Sequence, residues 1–413
     1  MRIGMITQWY DPESGSAVVP GGIARALVGR GHEVHVLTGF PNYPSGQLAP
    51  GYRVRRYQFE SREGVSVHRV PLVPTHDRSP IRRAANYLSY ALSAATRLRL
   101  LRNVDVWLVY STPATVAIPA LVAKTLFGRP YVLLVQDLWP DTVVGSGFVP
   151  KGRALDLIVR AIDRFCRLAY ARASAVAVTA PGMVEVLRGR GVPAEALSVV
   201  PNWVDETVFR PVEPVAARPE GFGRFVVMYG GSLGDLQGLD TAVEAMALLD
   251  DLPDLTLVFV GSGVAEERLR TLARDRADGR ILFLGQQAPE RMPALMASSD
   301  VQLVSLKDLQ LFRHTLPSKL QSVLASGLPV LVSAPGDAQR LVREAGAGLA
   351  VDPEDAAALA QAIRTLYGMD AGERAAMGQR GREYYMHHLS ERVGSAALEE
   401  LLAAASHRQA VSR

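Results

Sequence analysis

Two sets of residues stand where chemistry on an anionic, hydroxyl-bearing ligand can be done. The first lies in "HTLPSKLQSVLASGLPVLVSA", His314 to Ala334. Leu320, Val323 and Leu324 supply one apolar helical face, Thr315 or Ser318 is expected to cap the helix, and Pro317 presets a first-turn φ. Gly327 and Pro329 stop it, and "PVLVSA" then has the unbroken apolar character of a strand covered on both faces. In such a loop–helix–strand unit the unpaired amides of the helix start can hold phosphate, and Lys319 adds a positive charge there. A plain capped helix with a solvated lysine has the same local pattern.

The second set is a series of glycine turns and one carboxylate. In "FVVMYGGSLGDLQGLDTAVEAM", Gly230 and Gly231 end a strand, and Gly234 and Gly238 precede a helix, which leaves backbone donors free for a pyrophosphate. Gly261 in "VFVGSG" and Gly285 in "RILFLGQ" reach the same sheet edge, where backbone groups could read a nucleobase. Earlier, "DPESGSAVVPGG" places Gly15, Gly21 and Gly22 ahead of a helix, without the G-x-G-x-x-G spacing. The strand "PYVLLVQD" ends in Gln136 and Asp137, and Trp139 and Pro140 shape the loop behind it. Asp137 could orient a hydroxyl or take its proton, or serve as a helix cap or ion-pair partner.

Other chemistries are not indicated. There is no Asp-x-Asp, the one cysteine is Cys166, and the histidine pair His32 and His35, read as sharing a strand, has no cysteine cluster beside it, so a metal is not expected. A Walker lysine loop and aromatic-plus-basic nucleic-acid motifs are absent. A single cysteine and a start without a signal peptide's regions point to the cytoplasm. The apolar runs are strand-length. Charge is uneven: "RSPIRRAANYLSYALSAATRLRLLRN" holds six arginines and no acid, with Ile81, Ala84, Leu88, Leu92 and Ala95 at helical spacing. Residues 81–102 could therefore rest on anionic headgroups at the inner face of the membrane, although an ordinary basic helix reads alike.

The elements that must position these residues alternate. "RIGMIT", "EVHVLTG", "VDVWLVYS", "PYVLLVQD", "SAVAVT" and "LSVVPN" are strands separated by helical patterns, which predicts a doubly wound parallel sheet. The stretch "VDETVFRPVEPVAARPEGFGR" breaks the pattern with three prolines and reads as a linker. The alternation then restarts, and the chain is helical from about residue 354. At 413 residues the length suits two or three domains, and two tandem Rossmann-like domains would face each other across a cleft.

With these segments collected, the chain resembles a family-four glycosyltransferase of the GT-B fold, in the bacterial polysaccharide and O-antigen branch that uses nucleotide-activated deoxy or N-acetylamino sugars. The likeness rests on "RGHEVHVLTGFPNYPSG", "RRAANYLSYALSA", "VQDLWPD", "VVPNWVDETVF", "MYGGSLGDLQGLDTAVEA" and "LPSKLQSVLASGLPV". It implies an acceptor-binding domain over 1–205, a donor-binding domain over 206–385, and a C-terminal helix in 386–413 packing back on the first domain. It also implies sugar transfer with retention and no metal or other cofactor, from a UDP-sugar first and a GDP-sugar second, to a hydroxyl of a lipid-linked saccharide or a natural-product scaffold. Asp137 and Gly22 would be catalytic, with Gly21, Gly22, Asp137 and Trp139 on the acceptor. Gly230, Gly231, Ser232, Gln237, Gly261, Gly285, His314, Ser318, Lys319 and Ser322 would hold the donor. The family's glutamate pair falls on His314 and Ser322, and its usual arginine and lysine on Ser232 and Gln237. A non-catalytic partner of another transferase, or a GT-B-fold epimerase or phosphorylase, shares the two-domain shape.

Overall fold

The structure, a computed structural model, describes residues 1–13, 15–75, 79–146, 152–215, 219–276 and 279–411. The chain forms two compact units, Met1–Pro201 with Gly394–Arg413, and Asn202–Val393. The first division thus falls a few residues ahead of the proline-rich stretch.

The first unit is built on β1 (Arg2–Ile6), β2 (Glu33–Gly39), β3 (Gln58–Arg62), β4 (Val65–Val70), β5 (Val106–Ser111), β6 (Tyr131–Val135), β7 (Ala175–Val178) and β8 (Leu197–Val199). Their order is β3-β4-β2-β1-β5-β6-β7-β8, with every pairing parallel except β3 with β4. The connecting helices are α1 (Val19–Gly29), α2 (Pro80–Arg97), α3 (Ala117–Phe127), α4 (Asp141–Ser146), α5 (Arg153–Arg172) and α6 (Pro181–Gly189). Strands β5 and β6 are buried along their whole length, as parallel strands covered on both faces must be. Winding reverses between β1 and β5, so the loops after those strands part and leave room for a ligand beyond the carboxyl edge.

The second unit repeats the plan with β9 (Phe225–Gly230), β10 (Leu255–Val260), β11 (Ile281–Phe283), β12 (Val301–Ser305), β13 (Val330–Ser333) and β14 (Gly348–Val351), all parallel, in the order β11-β10-β9-β12-β13-β14. Its helices are α7 (Asp240–Ala247), α8 (Glu266–Arg276), α9 (Met292–Ala297), α10 (Ser318–Ala325), α11 (Asp337–Ala345), α12 (Ala356–Gly368) and α13 (Ala371–His388). Val227, Tyr229 and Phe259 enter a core on one face of the sheet, while Met228, Val258 and Val304 enter the core on the other. The last helix, α14 (Glu391–Val411), belongs to the first unit from Gly394 on. There Glu399 accepts from Arg30 Nε at 2.6 Å and pairs with His32 Nε2 at 2.7 Å.

Three local expectations are corrected. Neither Thr315 nor Ser318 caps α10: Pro317 is the N-cap residue, at φ −63° and ψ 134°, and Ser318 opens the helix. Thr315 Oγ1 instead donates to the Leu311 carbonyl at 3.4 Å. Gly21 and Gly22 do not precede the first helix, which starts at Val19, but lie in its first turn. His32 and His35 do not share a strand. His32 precedes β2 and holds Glu399, whereas His35 Nδ1 lies 3.2 Å from His68 Nε2 on β4.

Candidate functional site

In the second unit the carboxyl ends of β9, β10 and β11 are stitched together by glycines. Gly231 N donates to the Val260 carbonyl at 2.7 Å, Leu233 N to Ser262 at 2.9 Å, and Gly261 N to Gly285 at 2.8 Å. Gly231 and Gly261 have φ of 139° and 137°, and a Cβ on Gly261 would stand 2.0 Å from the Gly231 carbonyl oxygen. No other residue fits where two backbones approach so closely. A Cβ on Gly234 would meet Gln237 Oε1 at 2.6 Å, so Gln237 folds back over the same turn. Gly230, Gly231, Ser232, Gln237, Gly261 and Gly285 are thus one continuous edge.

Lys319 joins this edge from α10. Its Nζ donates to the Tyr229 hydroxyl and lies 3.8 Å from the centre of that ring. A Cβ on Gly231 would meet Lys319 Cε at 2.2 Å, so the lysine stem crosses the turn through the space that a side chain would fill. Burial pushes the Lys319 ammonium down to about 7. Tyr229, buried at the last core position of β9, donates its own hydroxyl to the Ser232 carbonyl at 2.9 Å. Sequence reasoning missed Tyr229, whose partner is ninety positions away in the chain. The remaining donor candidates are less engaged. Ser322 Oγ is spent on the Ser318 carbonyl at 3.2 Å, and His314 Nε2 lies 3.3 Å from Gln310 Nε2.

In the first unit Asp137 follows β6 and accepts from Thr112 Oγ1, just after β5, at 2.7 Å. Burial raises its carboxyl above the usual range, against the pull of that hydroxyl. Gly21 has no side chain because the Asp11 carboxylate, within 2.5 Å of its would-be Cβ, occupies the place; around Gly22 the space is open. Trp139 meets Tyr87 of α2 edge-on at 6.4 Å, Tyr87 meets Trp9 at 6.4 Å, and Trp9 meets Tyr43 at 5.1 Å. Beyond Trp139, this aromatic row was not singled out by sequence reasoning. Nor did it single out Glu13, a buried acid that accepts from the amides of Tyr10, Asn42 and Tyr43 at 2.7–2.8 Å and so ties the loop after β1 to the loop after β2. Burial raises Glu13 to about 7, although three amide donors oppose the shift.

Among the described residues no group of three or more histidines, cysteines and acids stands together as a metal site, and no helix is long and apolar enough to cross a membrane.

Comparison with known proteins places the same two units. Residues 14–203 match the glycosyl transferase 4-like domain and residues 217–384 match glycosyl transferases group 1. The chain is 30% identical over 372 residues to WcaI of Escherichia coli strain K12, a candidate colanic acid biosynthesis glycosyl transferase, covering 86% of this chain and 89% of that one. The structure resembles sucrose-phosphate synthase from Thermosynechococcus elongatus (TM-score 0.72, 20% identity, 100% and 99% of the two chains). It also resembles Anabaena HepE in complex with UDP (TM-score 0.70, 17% identity, 98% and 100%). Both domain matches and a relative 30% identical over 89% of its length make this chain a member of the glycosyltransferases, and its two parallel-sheet units give it the GT-B fold.

Proposed function

We propose that the chain moves a sugar from a nucleotide diphosphate donor, UDP-linked first and GDP-linked second, to a hydroxyl of a lipid-linked saccharide or natural-product acceptor, with retention and without metal. The observation that carries this reading is the glycine edge of the second unit with Lys319 laid across it. One ammonium is held across a glycine turn at the carboxyl edge of the sheet, and a preorganised charge there stabilises the negative charge that develops on a diphosphate as the sugar departs. The UDP held by HepE and the colanic acid role given for WcaI support the donor and the saccharide acceptor.

In this reading the bond from the sugar's anomeric carbon to the diphosphate breaks as that carbon bonds the acceptor oxygen, and the acceptor's proton passes to the departing phosphate. Asp137 orients the acceptor hydroxyl, and the open backbone at Gly22 lets the acceptor approach. His314 and Ser322, where the family carries acids, leave Lys319 as a charged group on this edge.

Peripheral contact with an anionic bilayer belongs to the same proposal. On α2, Ile81 is 81% exposed and Leu92 61% exposed, opposite the buried Asn86, Tyr90 and Ala94, and Arg82 is exposed on the same helix.

Thermal stability measured against UDP-, GDP- and dTDP-sugars, each with EDTA and with Mg²⁺, tests the reading. One nucleotide should stabilise the protein equally with and without metal. No shift with any nucleotide would sink the transferase assignment in favour of a non-catalytic partner, and a shift seen only with Mg²⁺ would sink the metal-free mechanism.

A further inference from the structure

The second sheet winds outward from β9 and β12, with β10 and β11 following on one side and β13 and β14 on the other. The loops after β9 and β12 therefore part beyond the carboxyl ends, where an open parallel sheet takes its ligand. After β9 comes the glycine turn that runs to Gly238. After β12 come Leu306 and Lys307, and two bonds staple them to that turn: Ser305 Oγ donates to the Gln237 carbonyl at 2.7 Å, and Lys307 N to the Leu236 carbonyl at 3.0 Å. Gly238 has a φ of 59°, and a Cβ there would stand 3.4 Å from Lys307 Cγ. The Lys307 stem thus lies against one end of the turn, as the Lys319 stem lies across the other end at Gly231.

Lysine is scarce in this chain. Of 45 lysines and arginines four are lysines, and the two in the second unit are Lys307 and Lys319. The arginines nearby are spent on acids: Arg268 pairs with Asp240 and Asp235, and Arg313 donates to both carboxylate oxygens of Asp308 at 2.7 Å. Asp308 is thereby balanced, and Glu354 accepts from the Asp308 amide at 3.0 Å. Lys307 is half-buried, and among the described residues its ammonium has no hydrogen-bond or ion-pair partner. A charge partly withdrawn from water without a counter-charge favours an anion beside it.

We infer that Lys307 is a second diphosphate-binding residue, and that it and Lys319 bracket the diphosphate from the two ends of the glycine turn. This rests on the nucleotide-sugar reading and deepens it. The donor carries a negative charge on each phosphate and gains another as the sugar leaves, whereas Lys319 offsets only one. A second ammonium, fixed by the staple between β12 and the turn, stabilises the departing group without having to be reorganised. Lysine suits that place because it is a compact point charge, with no planar fork to align.

Equilibrium binding to the full chain, measured with UDP and uridine and with GDP and guanosine, tests it. For the nucleotide that the protein takes, Lys307→Met should weaken the diphosphate by about 10- to 150-fold, the worth of a hydrogen bond to a charged group, and leave the nucleoside unchanged. Lys307→Arg should keep most of the diphosphate affinity. A merely structural role would lower diphosphate and nucleoside together. The inference is overturned if Lys307→Met binds the diphosphate as the wild type does, if it loses both ligands in equal measure, or if Lys307→Arg is as weak as Lys307→Met. In each of those cases wild-type binding to the diphosphate leaves the nucleotide-sugar reading standing, whereas a wild type that binds neither UDP nor GDP would sink that reading and this inference with it.

Discussion

Lys319 should make donor binding a proton-uptake reaction. In the free protein its ammonium is held at about 7 by burial against Tyr229. A diphosphate beside it favours the charged form and raises that value, so the protonated lysine binds the donor more tightly. By linkage, affinity is level below pH 7 and falls about tenfold for each pH unit above it, until the raised value of the complex is reached. From pH 6 to pH 8 the dissociation constant of a nucleotide-sugar should therefore rise about tenfold, and the diphosphate itself does not titrate in that window. Lys319→Met should weaken binding at pH 6 by about 10- to 150-fold, the equivalent of 1.5–3 kcal/mol for a hydrogen bond to a charged group, and flatten the profile. The free protein supplies a second sign. A lysine lowered on folding leaves the unfolded chain holding more protons above pH 7, so stability due to Lys319 rises with pH between about 7 and the usual lysine range. Isothermal titration at several pH values, with thermal melts of the free proteins, reads both. An unchanged slope in Lys319→Met would refute the assignment of the ammonium to the diphosphate.

Gly231→Ala should abolish nucleotide stabilisation and cost about 1–3 kcal/mol, because its φ of 139° strains any side chain and the new Cβ would displace the Lys319 stem; urea melts check the second figure. Glu13→Gln should lose about 1–3 kcal/mol, since an amide turns one end of its head group into a donor facing backbone donors, a loss that urea melts also read. Leu92→Glu, in the exposed stripe of α2, should reduce co-sedimentation with vesicles containing anionic lipid and leave nucleotide stabilisation intact; equal sedimentation would remove the membrane from the proposal.

The parallel strands were legible because burial on both faces leaves a continuous apolar run that survives in one dimension, as in "VWLVYS" of β5 and "LTLVFV" of β10. The β3–β4 hairpin was not. "QFESR" is an edge strand that reverses the usual alternation, with Phe59 exposed and the polar Gln58, Glu60 and Arg62 half-buried, and its turn is made by Glu63 and Gly64, both at positive φ, so only one of the two turn residues is a glycine. Capping of α10 was misread for a related reason: Thr315 and Ser318 are both good capping types, but Pro317 between them takes an extended ψ and delays the helix by a residue.

The candidate site divides along the same line. Glycines at strand ends announce a turn that needs free backbone, and the turns are there. What the spacing could not tell is why each glycine is needed. Gly261 clears a path for the backbone at Gly231, and Gly231 clears one for a lysine from another helix. Tyr229 looks like one more core residue of β9, and it is one, buried completely with its ring in the core. Only its hydroxyl, joining the Ser232 carbonyl and Lys319, reaches the edge. A residue whose body is structural and whose last atom faces the ligand leaves no mark in a hydrophobic pattern. On this sheet edge the position of the charge therefore depends on a side chain that periodicity assigns to the interior, and a variant that keeps the ring but removes the hydroxyl, Tyr229→Phe, separates the two roles.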